Sequence, residues 1–353
     1  MNRMSDWNRT GEDIESCLRT FVPPVWNSDL IRSYIGDSRF ELDLRAINEN
    51  AAKPIEDFVM RREKRLRPRL LLALAAVFKL DYKQCLHFAY FVEMIHNGTL
   101  VLDDIEDNAE LRRGKLSMHK GFGIDTAVNA GMLMHVLPLA SLIRGTLSLT
   151  QNQEVRLWRI YGEELLNVGF GQAIDIHWHK TFPENLTRER YLEMCRLKTG
   201  SLMRMSLRIP CALAETDAAT EKRYLRFAES LGIAFQIQDD ILDLTAHTEV
   251  FGKGYGNDIT EGKQSLPVIL ACAALSDTDR KRLRKLLMKH TSDTEEIAEA
   301  IALIKKSNAI EEAGKEARKL LDDAWLSLGE MEGSGKVVEE FRELAEMFIR
   351  RAY

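Results

Sequence analysis

The sequence has few residues that interrupt helices and no strong charge of either sign. Only 8 of its 353 residues are proline, and 49 lysines and arginines nearly balance 54 aspartates and glutamates, which leaves a formal net charge of −5. A chain with this balance has no overall field that would recruit nucleic acid or anionic lipid. We therefore expect no nucleic-acid partner, and any basic chemistry must be local.

Cysteine pairs and long apolar runs are also missing. The five cysteines are scattered without Cys-x-x-Cys spacing, which favours buried thiols in a reducing compartment over disulfides or a zinc site. The first residues have no apolar core typical of a signal peptide, and the longest clean apolar run, Leu70 to Phe78, is too short to span a membrane. We expect a cytoplasmic protein without a transmembrane segment.

Helical periodicity is what the sequence does have. Apolar residues recur every three or four positions, and alternating β-branched runs bounded by turn residues are missing. No low-complexity linker or short repeat divides the chain. We therefore predict one all-α domain over residues 1–353, folded as a helical bundle. The periodic segments cover residues 68–79, 84–107, 124–149, 153–176, 187–215 and 218–245.

One short segment crowds acidic residues together. Asp103, Asp104, Glu106 and Asp107 place four carboxylates in five positions after a largely apolar run. On a helix, Asp103 and Asp107 share one face, where their repulsion grows as the face becomes buried. A divalent cation would turn that repulsion into binding, and oxygen ligands of this kind favour Mg²⁺. A solvated acidic helix end is the alternative for a single motif.

A second segment repeats the spacing. It reads FQIQDDILDL and is more apolar than the first, so its acids need a partner. Two such motifs on long helices can face each other across a bundle cavity and hold several metal ions. We therefore predict a metal site built from six aspartates: Asp103, Asp104, Asp107, Asp239, Asp240 and Asp243.

Basic residues form short clusters along the same part of the chain. Arginine binds phosphate oxygens in a bidentate fashion and lysine adds a point charge, so these clusters beside paired aspartates indicate a diphosphate site. Neither a Walker motif nor a GxGxxG fingerprint is present, which disfavours a nucleotide. The candidate cations are Lys64, Arg67, Arg112, Arg113 and Lys198, with Lys253 and Lys263 in a glycine-containing segment expected to form a lid.

These motifs together resemble the trans-isoprenyl diphosphate synthases, or polyprenyl synthetases. KRLRP, DDIEDNAELRRGK, GQAID, KTGSL, FQIQDDILD and GNDITEGKQS occur in that family's order over roughly residues 60–270. The resemblance implies an isoprenoid-synthase-type helical bundle around a deep central pocket, a homodimer and a need for Mg²⁺. It also implies a reaction: an allylic diphosphate ionises, the double bond of isopentenyl diphosphate attacks, and a proton is lost without any protein nucleophile.

The resemblance implies a role for each matched residue. Asp103 and Asp107 would hold two Mg²⁺ ions against the allylic diphosphate, and Asp239 with Asp243 would hold a third. Arg112, Lys198 and Lys253 are expected at the allylic diphosphate, and Lys64, Arg67 and Arg113 at isopentenyl diphosphate. Thr199 and Gln236 are expected beside the developing cation. Gln172 and Asp175 would support the metal and cation site.

Two positions depart from the family pattern. Glu63 stands where many relatives have glycine before the KRxRP motif, and Leu102 stands where many have histidine before the first aspartates. Both positions touch the isopentenyl side, so the departures bear on the affinity or orientation of that substrate.

Product length depends on the helix that precedes Asp103. An isoprene unit is about as long as one helical turn, ~5.4 Å, so successive turns mark depth in the tail pocket. In the family, a bulky aromatic four or five residues before the first aspartate closes the pocket at fifteen carbons, whereas this chain has Thr99 and Gly98 there. The next limit to pocket depth would be Ile95, one turn deeper, or Phe91 or Val92, deeper again, with Met132 or Met134 from a facing helix as further contributors. We expect geranylgeranyl diphosphate or a longer product.

Three other functions stay open on the sequence. A farnesyl diphosphate synthase would share every motif and differ only in pocket depth. A class I terpene cyclase would share metal-assisted ionisation but has no second substrate, and the arginines of KRLRP and RRG argue against it. A non-catalytic subunit of a heteromeric synthase would be expected to have lost aspartates, and none is lost.

Overall fold

The computed structural model describes residues 7–245, 256–329, 331 and 335–349. Helices make up nearly all of the regular structure in these ranges, together with one two-stranded hairpin, so the all-α prediction is confirmed. The prediction of a single domain stays a prediction. The chain divides into two units, the first made of Met1–Arg159, Ile209–Thr216 and Glu332–Leu344 and the second of Ile160–Arg208, Asp217–Met331 and Ala345–Tyr353.

The first unit has one long helix among shorter ones. Its helices are α1 (Trp7–Phe21), α2 (Ser28–Ile35), α3 (Leu44–Ile47), α4 (Lys53–Val59), α5 (Leu66–Val77), α6 (Tyr82–Glu106), α7 (Met118–Phe122), α8 (Ile124–Val136) and α9 (Ala140–Ile143). A π-helical turn over Asn48–Ala52 joins α3 to α4, and a 3₁₀ turn over Leu137–Leu139 joins α8 to α9.

Helix α6 is the axis of this unit and carries the first acidic motif at its end. The Asp81 side chain caps its first turn by accepting a hydrogen bond from the Gln84 amide at 2.8 Å. Most of its residues are buried, because α5 and α8 pack on it from different sides. The helix ends at Glu106, and Asn108 then adopts a left-handed φ of 51°.

Two glycines allow α6 and α8 to approach closely. A Cβ atom added at Gly98 would lie 2.9 Å from the carbonyl oxygen of Gly131 and 2.8 Å from the ring of His135. Neither distance leaves room for a side chain, so a larger residue at Gly98 would force the two helices apart.

The stretch Ile124–Ile143, which spans α8 and α9, is apolar and long enough to cross a membrane by composition alone, and half of its most apolar window is buried by the rest of the chain. Core helices of folded proteins often have this property. Its other side exposes four apolar residues at four-residue spacing: Ile124, Val128, Met132 and Val136.

A short hairpin follows α6, a feature that the sequence analysis does not predict. Strands β1 (Leu111–Arg112) and β2 (Lys115–Leu116) pair antiparallel, with Arg113 and Gly114 in the turn. Both turn residues have positive φ, 55° and 74°, as two-residue hairpin turns of type I′ require. The RRG sequence thus places Arg112 on a strand and Arg113 in a strained turn.

The second unit contains most of the remaining helices. They are α10 (Gln151–Thr181), α11 (Arg188–Lys198), α12 (Gly200–Leu213), α13 (Ala218–Thr245), α14 (Asn257–Glu261), α15 (Leu266–Ala274), α16 (Asp277–Met288), α17 (Thr294–Lys306), α18 (Ala309–Leu328) and α19 (Gly335–Ile349). The start of α10, the end of α12 and most of α19 belong to the first unit.

Helix α13 is the axis of the second unit and packs along α18, α11 and α15. The predicted segment 187–215 is two helices rather than one, because the chain breaks at Thr199 between α11 and α12. Gly200 lies directly against Gly232 of α13: a Cβ added at Gly232 would meet the Cα of Gly200 at 2.8 Å. The glycine of KTG therefore lets Thr199 lie close to α13.

Candidate active site

The first acidic motif lies at the C-terminal end of α6. Asp103 and Asp107 are one turn apart and half-buried, and the Asp107 backbone N–H bonds to the Asp103 carbonyl as the helix ends. That these two carboxylates form a ligand pair stays a prediction, and the partly negative carbonyls of the helix end would further favour a cation there.

Arg112 neutralises the most buried carboxylate of this motif. Asp104 has no exposed surface, and the Arg112 Nε donates to its Oδ1 at 2.7 Å while Nη2 makes a second bond to the same oxygen. The Arg112 Nη2 also lies 3.8 Å from Asp103 Oδ2. In this arrangement Asp104 is buried and holds Arg112 in place, and its predicted role as a metal ligand stays a prediction.

The KRLRP segment joins α4 to α5 and is held by a buried arginine that the sequence analysis does not assign. Arg65 has a left-handed φ of 51° and is 1% exposed. Its guanidinium contacts Glu93 at 2.6 Å and Glu15 at 2.9 Å, and it donates to the Val59 carbonyl. This fixes the loop that carries the exposed Lys64 and places Arg67 in the first turn of α5.

His96 joins the predicted cations, although the sequence analysis does not select it. Its Nε2 lies 3.2 Å from Nη1 of Arg67. Burial, followed by the charges of Arg67, Arg113 and Arg112, lowers the pKa of His96 well below its usual value, so the ring is neutral and can accept a hydrogen bond from Arg67. No spacing in the sequence singles this histidine out.

Arg113 is positioned by groups from three elements. Its Nη1 donates to Asn97 Oδ1 at 2.8 Å, its Nε lies 2.6 Å from Glu63 Oε2, and its guanidinium carbon lies 5.5 Å from the centre of the Phe58 ring. Asn97 in turn donates to Glu93, so a buried polar chain links Arg113 back to the Arg65 cluster. The guanidinium is desolvated, and this lowers the pKa of Arg113.

The second acidic motif lies near the end of α13, and its three aspartates have different surroundings. Asp239 is exposed, and Asp240 is 5% exposed. Asp240 accepts hydrogen bonds from the Tyr191 hydroxyl at 2.6 Å and the Gln236 amide at 3.0 Å. Burial nevertheless raises the pKa of Asp240 to about 6. Asp240 is therefore held by neutral donors rather than by an arginine.

The third aspartate of this motif caps a short helix. Both carboxylate oxygens of Asp243 accept backbone N–H bonds at the start of α14, from Asn257 at 3.1 Å and Asp258 at 3.0 Å. Gly256, with a φ of 75°, turns the chain into that helix. Asp243 thus caps the start of α14, and its predicted role as a metal ligand stays a prediction.

The predicted catalytic residues of the second unit form two pairs. Lys198 Nζ lies 2.5 Å from Asp175 Oδ2, and the Thr199 hydroxyl donates to Gln236 Oε1 at 2.7 Å. Because Gln236 also donates to Asp240, Thr199 is joined to the second acidic motif by one side chain. Gln172 is half-buried on the same helix as Asp175.

A glycine of GQAID lets α10 and α11 meet. A Cβ added at Gly171 would lie 2.3 Å from the backbone nitrogen of Lys198. No side chain fits there, so this glycine lets α10 and α11 approach closely enough for Lys198 to lie beside Asp175.

The predicted lid is only partly described: Lys253 lies outside the described residues, and Lys263 forms an ion pair of 2.6 Å with Glu261.

The product-length positions lie on the buried side of α6. Ile95 is 0% exposed, Thr99 is half-buried and donates from its hydroxyl to the His96 carbonyl, and Gly98 faces Gly131 and His135. The facing helix is therefore α8. Met132 of α8 is 56% exposed and does not line this side, whereas Met134 is fully buried.

The donor set of the acidic motifs suits magnesium when a substrate supplies further oxygens. Within the described ranges, no three histidine, cysteine, aspartate or glutamate side chains are close enough together to hold a metal ion by themselves. Pairs of carboxylates that leave positions for phosphate oxygens are the usual Mg²⁺ arrangement, and Asp103 with Asp107 fits it.

A helical protein with two aspartate motifs and a buried arginine cluster belongs to the class of metal-dependent diphosphate enzymes. Residues 48–304 match the family model described as polyprenyl synthetase. The short chain isoprenyl diphosphate synthase of Methanocaldococcus jannaschii is 36% identical over 245 residues, which cover 69% of this chain and 73% of that protein. Geranylgeranyl pyrophosphate synthase 2 of Zymoseptoria tritici is 32% identical over 289 residues, 82% of each chain.

Solved structures agree with this assignment. The crystal structure of geranylgeranyl pyrophosphate synthetase from Pyrococcus horikoshii has a TM-score of 0.82 and 26% identity, covering 99% of this chain and 98% of that one. The chain therefore belongs to the polyprenyl synthetase family. It is a prenyltransferase of an Mg²⁺-dependent family whose substrates are isopentenyl and allylic diphosphates, and the predictions of family and enzyme class are confirmed.

Proposed function

We propose that this chain condenses isopentenyl diphosphate with an allylic diphosphate, head to tail, and releases geranylgeranyl diphosphate or a longer product. The observation that carries the proposal is the first unit's arrangement of a half-buried carboxylate pair, Asp103 and Asp107, together with an arginine cluster around His96. One group suits a metal-bound diphosphate and the other suits a diphosphate bound directly by cations.

The allylic diphosphate would be bound through Asp103, Asp107 and Asp239, of which Asp239 is exposed and the other two are half-buried. Bound Mg²⁺, three ions by family expectation, would neutralise the diphosphate as it leaves. That both motifs serve one diphosphate is supported by family membership. Asp104, Asp240 and Asp243 would act by positioning Arg112, Gln236 and α14, which their hydrogen bonds support.

Isopentenyl diphosphate would bind to Arg67, His96 and Arg113, with Lys64 from the exposed part of the loop. The neutral His96 can donate or accept, while the two arginines supply positive charge. Arg65 would not touch substrate, because Glu93 and Glu15 already neutralise it. A terpene cyclase has no need of this second anion site.

The developing allylic cation would lie beside oxygens of the second unit. Thr199 is buried and Gln236 is half-buried, and the Thr199 hydroxyl oxygen and the Gln236 amide oxygen carry negative partial charge, which would stabilise a cation without adding to its charge. Lys198, held by Asp175, would contact the departing diphosphate. Gln172, Lys253 and Lys263 keep their predicted substrate-side roles as part of this proposal.

Product length would be set on α6. Thr99 leaves the first turn before Asp103 without a bulky side chain, and Ile95 lies one turn deeper, fully buried. At about one isoprene unit per turn, an open first turn admits a fourth unit. Relatives named geranylgeranyl pyrophosphate synthase support the same length.

A homodimer would cover the exposed apolar side of α8. Ile124, Val128, Met132 and Val136 are 43–61% exposed on one side of that helix. Such a row is large for a surface facing water and typical of a subunit interface. Sedimentation velocity of the wild type and of Val128→Lys with Met132→Lys tests it: we expect dimer and monomer respectively. A wild-type monomer at micromolar concentration would contradict the proposal. A cytoplasmic location stays a prediction.

Turnover with defined substrates tests the reaction. Purified protein with Mg²⁺, radiolabelled isopentenyl diphosphate and each of three allylic primers should incorporate label, and chromatography after dephosphorylation should show chains of twenty carbons or more. A fifteen-carbon end product would indicate a farnesyl diphosphate synthase. A cyclic hydrocarbon from one substrate would indicate a cyclase, and no incorporation with any primer would leave the non-catalytic subunit.

Substitution at the first turn tests the length assignment. Thr99→Phe should shorten the product by at least one isoprene unit, because the ring would occupy the position of the growing tail. Thr99→Ser is the matched control and should leave product length unchanged. Gly98→Phe is a poorer test, since any side chain at Gly98 collides with α8. An unaltered product from an active, folded Thr99→Phe variant would defeat the assignment.

A further inference from the structure

Glu63 forms an ion pair with Arg113, an arginine of the proposed isopentenyl side, at a position where the family resemblance has glycine in many members. It lies in the loop between α4 and α5, two residues before Arg65, whose buried bonds to Glu93, Glu15 and the Val59 carbonyl fix that loop. The loop therefore presents Glu63 in a defined direction rather than as a freely moving surface side chain.

One oxygen of the Glu63 carboxylate forms an ion pair with Arg113, and the other accepts a backbone hydrogen bond. Its Oε2 lies 2.6 Å from Arg113 Nε, and its Oε1 accepts the Lys64 backbone N–H at 3.2 Å. The Glu63 side chain is 21% exposed and that of Arg113 is 8% exposed, so solvent screens the pair only partly. Part of the Glu63 side chain is exposed to water, so the carboxylate can leave Arg113 by rotating toward solvent.

Arg113 keeps an unused donor next to this pair. Its Nη1 bonds to Asn97 and its Nε faces Glu63, but its buried Nη2 has no hydrogen-bond acceptor within the described part of the chain. A desolvated donor without an acceptor is costly, and a ligand oxygen is the usual remedy at a binding site. The Arg113 guanidinium can therefore donate to a further anion oxygen in addition to the Glu63 carboxylate.

The charges around Arg113 affect the free energy with which a diphosphate binds there. Among its neighbours, Arg65 is neutralised by Glu93 and Glu15, and Arg112 by Asp104. In the same way Glu63 neutralises Arg113. An incoming diphosphate gains the full attraction of Arg113 only when the carboxylate moves away, because two anions side by side on one guanidinium repel each other.

We propose that Glu63 is a specificity-determining residue of this chain: its carboxylate occupies on Arg113 the place of a diphosphate oxygen, so isopentenyl diphosphate binds by displacing it. This rests on the proposed function for the assignment of that side. The consequence is a weaker affinity for isopentenyl diphosphate than the same cations would give beside a glycine, with no effect on the allylic diphosphate.

Steady-state kinetics of Glu63→Gln measure this directly. The amide keeps the size of the side chain and removes its charge. We expect KM for isopentenyl diphosphate to fall about threefold to tenfold, the usual range for removing one partly screened charge contact, while KM for the allylic substrate stays within twofold. Glu110→Gln is the matched control: Glu110 is 71% exposed, lies three residues before Arg113 and pairs with Lys120, so neither KM should change.

A double-mutant cycle separates displacement from general charge effects. In an Arg113→Gln background, Glu63→Gln should no longer change KM for isopentenyl diphosphate, because the competition takes place on that guanidinium. An equal effect in both backgrounds would overturn the proposal. So would an unchanged or raised KM in the single variant, since a raised KM means that Glu63 only positions Arg113.

Calorimetric binding of isopentenyl diphosphate alone keeps the test independent of turnover. Without an allylic partner this substrate is not consumed, so its Kd can be measured for the wild type, Glu63→Gln and Glu63→Gly. Tighter binding in both variants supports displacement, and equal or weaker binding overturns it. If the wild type binds but never incorporates isopentenyl diphosphate, the proposed function fails while the displacement result still stands.

Discussion

The two acidic motifs have the same DDxxD spacing but are stabilised in different ways. In the first, the middle aspartate, Asp104, is buried against the guanidinium of Arg112. In the second, the middle aspartate, Asp240, is equally enclosed but accepts bonds from neutral groups, the Tyr191 hydroxyl and the Gln236 amide. One site compensates charge with charge, and the other compensates it with dipoles.

This difference shows that spacing alone does not assign ligands. In both motifs the first aspartate is half-buried or exposed, while the second turns inward and hydrogen-bonds to a neighbouring side chain, Arg112 or Gln236. The inward residue orders an arginine in the first motif and an uncharged glutamine in the second. The chemistry matches the proposal, since a departing diphosphate needs positive charge and a developing cation needs none added.

The largest effect is expected at the outward aspartates. Asp103→Asn and Asp239→Asn should each lower kcat/KM by about 10²–10⁴-fold, because each removes a charge that would hold Mg²⁺ against the leaving group. Radiolabel incorporation at saturating Mg²⁺ measures the loss. Glu110→Gln removes an equal charge nearby and should retain activity. Near-normal activity in either aspartate variant would remove that residue from the metal set.

Stability should distinguish the inward aspartates. Asp104→Asn leaves Arg112 without its carboxylate in a buried position and should cost about 3–5 kcal/mol of unfolding free energy. Asp240→Asn replaces an acceptor among neutral donors and should cost about 1–3 kcal/mol. Urea unfolding of the Mg²⁺-free proteins measures both values. Equal losses would mean that the ionic and neutral environments do not differ in the way their hydrogen bonds suggest.

A glycine on α10 sharpens the contrast within the second unit. Gly171→Ala should cost about 1–3 kcal/mol and lower activity, because its Cβ would meet the Lys198 backbone at 2.3 Å and shift the lysine away from Asp175. Gly169→Ala is the control on the same helix, where a Cβ meets no atom within 4 Å, and it should be neutral or stabilising. Similar melting temperatures for the two variants would contradict the close approach.

Much of the fold could be predicted because helical periodicity is local. Segments 84–107 and 218–245 correspond closely to α6 (Tyr82–Glu106) and α13 (Ala218–Thr245). The break at Thr199 was missed, although Gly200 beside it is a poor helix former, because the three- and four-residue apolar spacing continues across it. The hairpin after α6 was missed because two-residue strands leave no periodic signal.

The motifs located the aspartates and cations of the candidate site, and their roles stay predictions. The sequence does not show which way each carboxylate turns: Asp104 hydrogen-bonds to Arg112, and Asp243 accepts backbone bonds at the start of α14. His96 was missed because a lone histidine on an apolar helix has no distinguishing spacing. Only the approach of Arg67 from another helix marks it as part of the cluster.

The smallest expected effect is on stability at acidic pH. His96 stays neutral in the folded protein, since burial and the charge of Arg67 lower its pKa well below 6.5, whereas in the unfolded chain it titrates near 6.5. Below that pH the unfolded state binds a proton that the folded state does not, so stability falls as pH drops. Between pH 7 and pH 5 this residue should account for up to about 2 kcal/mol of the loss, as measured by urea unfolding. His96→Gln should therefore lose less stability over that interval than the wild type, and the exposed His177→Gln should follow the wild type. If His96→Gln follows it too, the ring is charged in the folded protein, and the arginine cluster must then be hydrated rather than desolvated around it.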